Sequence, residues 1–68
     1  MVEFVTKEVA VQRMRDGAER VCIEMRRGCK ELIKQSFAQA GLSVDVTVEP
    51  SLEIRPDNSM YVIRQKTV

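Results

Sequence analysis

From Ser43 to Glu49 the chain alternates without a break, Ser43-Val44-Asp45-Val46-Thr47-Val48-Glu49, and Pro50 closes the run. Successive side chains of an extended strand point to opposite faces, so this pattern collects the valines on one face and the polar groups on the other. It predicts a half-buried strand, and such a strand requires a sheet with one face covered. The cover is the clearest helical segment of the chain. Cys29, Leu32, Ile33, Ser36, Phe37 and Ala40 recur at i, i+3, i+4, i+7, i+8 and i+11, leaving Lys30, Glu31, Lys34 and Gln35 outside. Gly28 stands where an N-cap is needed, and Gly41 where a left-handed residue ends a helix, with Leu42 placed to touch Phe37.

Residues 1–27 admit two readings. In one they join a long helix running to Ala40, with Met14, Ala18, Val21, Met25, Cys29, Leu32 and Ser36 as its stripe. That reading strands Ile23 on the charged face and places Gly17 and Gly28 inside a helix, at about 1 kcal/mol each. In the other, Arg15-Asp16-Gly17 is a three-residue hairpin loop with glycine as its left-handed residue. Val11 then lies opposite Val21, Val9 opposite Ile23 and Arg13 opposite Glu19. The hairpin accounts for the valines, Ile23 and both glycines together, and is preferred.

A second hairpin is expected further on. Leu52-Glu53-Ile54-Arg55 and Met60-Tyr61-Val62-Ile63-Arg64 flank Pro56-Asp57-Asn58-Ser59, whose composition is that of a turn. Gln65 to Val68 is polar and expected to fray unless a partner holds it. The expected fold is α+β: a small single domain over residues 1–68, an antiparallel sheet with one amphipathic helix in the order ββαβββ. The alternative is one long N-terminal helix followed by a β-meander.

With 68 residues, the chain buries only roughly 60% of its unfolded surface, which limits net stability to about 3–5 kcal/mol and favours help from a partner or a second copy. Its two cysteines allow at most one internal bridge, and Met1-Val2-Glu3-Phe4 is no secretory signal, so the expected location is cytoplasmic. No apolar run approaches the roughly 20 residues that cross a bilayer, so no membrane partner is expected.

The residue types restrict the chemistry. Without histidine the commonest general base and metal ligand is missing, and the cysteines lack zinc spacing. There is no GxGxxG and no GxxxxGK[ST], and the glycines are isolated. The chain is therefore expected to be no enzyme, with no cofactor, metal or small-molecule substrate. Cys29, near Arg26, Arg27 and Lys30, has surroundings that could activate a thiol, but as the start of an apolar stripe it reads better as a core residue.

Two surfaces remain. Arg13, Arg15, Arg20, Arg26, Arg27 and Lys30 form the one basic concentration in a chain of net charge +1, interrupted by Asp16, Glu19 and Glu24. They are candidate contacts for nucleic acid or another partner through a basic hairpin and helix start. Met60 and Tyr61 are candidate interface residues, since these types are enriched at interface centres, with core packing as the preferred alternative role. The functional expectation is a small non-enzymatic protein-interaction module, an accessory or modulator that binds a larger protein or itself as a homodimer. The alternative is a nucleic-acid-binding protein.

Overall fold

The computed structural model describes residues 2–66. In chain order the elements are α1 (Lys7–Arg15), β1 (Arg20–Arg26), α2 (Lys30–Gln39), β2 (Val44–Glu49) and β3 (Asn58–Gln65). The three strands form one antiparallel sheet in the order β1-β3-β2. Because β3 is antiparallel to both neighbours, β1 and β2 run parallel to each other with β3 between them. The α+β class and antiparallel sheet agree with the sequence; the ββαβββ order does not.

The first correction concerns the N-terminal hairpin. Residues 7–15 are helical because Thr6 caps the helix, its hydroxyl accepting the Val9 N–H at 3.2 Å, and because Ala10 and Met14, one turn apart, are both buried. Gly17 does adopt a left-handed conformation, φ 100°, but it ends the helix rather than turning a hairpin. Its N–H bonds the Met14 carbonyl while the Ala18 N–H bonds the Arg13 carbonyl, the paired bonds of a Schellman termination. Val9 therefore sits exposed on α1, and Ile23 pairs with Tyr61. Arg13 is ion-paired to Glu3, not Glu19.

The expected second helix is present. It ends as expected, with Gly41 at φ 79° and the Leu42 N–H bonded to the Phe37 carbonyl. Its N-cap is Cys29 rather than Gly28. Ile33 and Phe37 are buried, whereas Leu32 is largely exposed. The sheet face is thus covered by two helices instead of one.

The second hairpin is also corrected. Residues 50–57 form an irregular connection, and β3 pairs with β1 and β2. Met60, Tyr61, Val62 and Ile63 are all buried, the continuous apolar run of a central strand. Gln65, expected to fray, belongs to β3 and donates from Nε2 to the Met14 and Ala18 carbonyls, at 2.7 and 2.9 Å, tying the end of α1 to the sheet. Thr67 and Val68 lie outside the described residues.

The main core lies between helices and sheet, with Ala10, Met14, Ile33 and Phe37 above Val21, Ile23, Val44, Val46, Tyr61 and Ile63. On the opposite face Cys22, Met60 and Val62 form a smaller cluster packed by Val2, Phe4 and Ile54. Both faces of β1 and β3 are therefore apolar in their middle, while β2 stays two-sided: Val44 and Val46 buried, Asp45 and Thr47 exposed.

Candidate functional site

The structure divides the basic residues. Arg15 ends α1 and Arg20 begins β1, while Arg26 ends β1, Arg27 lies in the turn that follows and Lys30 begins α2. At about 3.3 Å per residue, Arg20 and Arg26 stand roughly 20 Å apart. The basic hairpin that was to carry nucleic-acid binding is not formed. Arg13 is engaged by Glu3 through both guanidinium nitrogens, at 2.7 and 3.2 Å. This hydrogen bond, reinforced by charge attraction, lowers the Glu3 pKa and raises that of Arg13. Arg27 donates to the Pro56 carbonyl at 2.9 Å and holds the β2–β3 connection. Arg20 pairs in register with Arg64, whose other neighbour is Asp45.

Met60 and Tyr61, the candidate interface residues, are internal. Met60 lies within the smaller cluster. The Tyr61 hydroxyl donates to the Arg26 carbonyl at 2.6 Å and accepts the Cys29 N–H at 3.0 Å, so its polar end is fully used in closing the β1–α2 turn. Cys22 is buried and Cys29 half-buried against the main core, both as free thiols. Among the described residues no group of three or more potential ligand side chains converges on a metal position, and no helix is long and apolar enough to cross a membrane.

Glu24 works as a tether. Its carboxylate accepts the Arg55 N–H at 3.0 Å and the Asn58 amide at 2.7 Å, fixing residues 55–58 against β1. Those bonds, the Arg55 N–H first, hold its pKa below the usual carboxylate value. Glu24 also borders an open depression of about 500 Å³ between the Phe4–Glu8 segment and the end of β1. No side chain there is both buried and unpartnered.

The edges of the sheet differ from one another. The outer side of β1 is partly occupied: Phe4 forms a parallel bridge with Cys22, and the Val5 N–H bonds the Cys22 carbonyl at 3.1 Å. Among the described residues nothing pairs with the outer side of β2. The direction of its backbone groups follows from the ladder. The Lys66 N–H bonds the Ser43 carbonyl, one step beyond the Val44–Gln65 pair, so Ser43 directs its backbone toward the β3 side. Orientation alternates along an antiparallel ladder, which gives Asp45, Thr47 and Glu49 the inward direction and leaves Val44, Val46 and Val48 with N–H and C=O groups pointing outward. The Gln65 N–H, bonded to the Glu19 carbonyl on the far side of β3, fits the same phase.

Val48 differs from the other two valines in being 54% exposed. Near the other end of the strand a hollow of about 230 Å³ is lined by Lys34, Gln35, Ala38, Leu42, Ser43 and Val44. No proline, lysine or glycine lies within Val44–Glu49, and the two charges the strand carries, Asp45 and Glu49, are ion-paired to Lys66 and Arg64. The alternation in the sequence marks the valines as core residues and carries no sign of an edge. Their outward backbone depends on strand order, which the alternation does not encode. Compared with known proteins, the chain matches no family model, no curated protein and no solved structure.

Proposed function

We propose that this chain is a non-enzymatic protein-interaction module that adds an extended strand along the outer edge of β2. The observation that carries this reading is the unpaired row of outward backbone groups at Val44, Val46 and Val48, beside an exposed Val48 side chain. A free edge of this kind supplies main-chain hydrogen bonds to an incoming strand, while the alternating faces supply selectivity. The division of the basic residues between the two ends of β1 leaves a nucleic-acid reading with no comparable surface.

A randomised display library of octapeptides tests the proposal. Selected peptides should alternate apolar and polar residues and shift the Val44, Val46 and Val48 amides on titration. The Val48→Pro variant, which removes an outward N–H without touching the β3 ladder, should lose that binding. Selected peptides that shift the helices instead, or that bind Val48→Pro unchanged, would place the interaction elsewhere.

A further inference from the structure

Resting on that reading of the β2 edge, the geometry points to a specific occupant: a second copy of this chain, paired antiparallel through β2 about a two-fold axis at Val46. Only centres at Val46 and Thr47 pair five β2 residues of each copy, and the opposed side chains decide between them. Symmetric antiparallel pairing that keeps both helical layers on the same face must be centred on a residue of β2. Centring on Asp45 sets that carboxylate against its own copy. Centring on Thr47 sets Asp45 against the partner's Glu49 and Val44 against the partner's Pro50, which has no N–H to give. Centring on Val46 avoids both faults.

In that register Val46 meets the partner's Val46, Val44 meets the partner's Val48, and each pair exchanges both N–H···O bonds, because these residues direct their backbone outward. Asp45 faces the partner's Thr47, and Ser43 the partner's Glu49, so no like charges oppose one another directly. The exposed Val48 of each copy comes against Val44 of the other, beside the hollow formed with Ala38 and Leu42. The sheet becomes continuous across the axis in the order β1-β3-β2-β2-β3-β1. The side chain left most exposed on the helical face of β2 and the hollow near its far end are thereby brought together twice by one symmetry operation.

The test combines mass with register. Sedimentation velocity of the wild-type chain should give a mass that rises toward twice the monomer with concentration. Asp45→Cys and Thr47→Cys are both at exposed positions that this register makes opposite neighbours, about 4.5 Å apart between Cα atoms, within disulfide reach. Mixed under oxidised glutathione, the two variants should form a 45–47 crosslink identified by peptide mass, whereas each alone should not, its own copies standing roughly 8 Å apart. A chain monomeric at every concentration overturns self-pairing, as does a dimer without the 45–47 crosslink. A monomer that still takes strand peptides at β2 keeps the docking edge and loses only the homodimer; failure of the peptides as well removes both.

Discussion

The hydroxyl of Tyr61 donates to the backbone carbonyl of Arg26, and the same oxygen accepts the Cys29 N–H, so one central-strand side chain holds the turn between β1 and α2. The ring itself is buried in the main core. Two jobs fall to one residue, packing and closure of a turn, and they are separable by a change that removes only the oxygen. Tyr61→Phe should cost about 1–3 kcal/mol, since it leaves a part-buried N–H and carbonyl without their partner. Urea denaturation reads this as a lower midpoint at unchanged slope. An unaltered midpoint would mean that water replaces the hydroxyl at no cost.

The two helix terminations make a second prediction. Gly17 and Gly41 both have positive φ, and an added Cβ would meet no atom within 4 Å at either site. The penalty for alanine is then one of backbone conformation alone, about 1–2 kcal/mol at each position. The losses should add in the double variant, because the sites belong to separate helices. A much larger loss at either site would show that the glycine also serves a close packing contact.

These glycines also explain what was legible in the sequence. A left-handed glycine after Asp16 reads equally well in a three-residue hairpin loop and in a Schellman termination, and valines at 5, 9 and 11 favour a strand locally. The tertiary burial of Ala10 and Met14 selects the helix. Around Gly41 no such ambiguity exists, because the stripe containing Ile33 and Phe37 has a period that only a helix satisfies. The run from Met60 to Ile63 is continuously apolar, the mark of a strand buried on both faces, but the Pro56-Asp57 turn composition beside it equally suits a hairpin arm. The basic cluster was legible as composition alone. Its members are neighbours along the chain, and a strand between them carries them to opposite ends of the sheet.

Acid should weaken the β2–β3 connection. Glu24 has a folded pKa below its ordinary value of 4.5, through the bonds from Arg55 and Asn58. The unfolded chain therefore binds the proton more readily, so this contribution is fully present above pH 4.5 and is lost as pH falls through the folded pKa. Glu3 is shifted in the same sense by Arg13. Glu24→Gln should accordingly flatten the acid limb of the stability profile below pH 4.5 without abolishing it. Identical acid limbs for wild type and variant would detach Glu24 from the effect. In wild-type spectra the Arg55 amide should show the same titration directly.

The partner surface makes its own prediction about a single side chain. Val48→Lys keeps the backbone N–H of β2 and changes a residue already largely exposed, so folding stability should move by no more than about 0.5 kcal/mol. Association through β2 should nonetheless weaken, because the register brings position 48 against apolar Val44. Equal association of wild type and Val48→Lys would show that the helical face of this edge is not buried by the partner.

Amide hydrogen exchange along β2, at a concentration where the chain sediments as a monomer, tests the central claim most directly. The account predicts a two-residue alternation, with the amides of Val44, Val46 and Val48 exchanging fast, those of Asp45, Thr47 and Glu49 protected, and the valine amides becoming protected as concentration rises. Uniform protection of all six in the monomer, or an alternation of the opposite phase, would mean that β2 has no outward row of free backbone groups and would contradict both the docking edge and the dimer built on it.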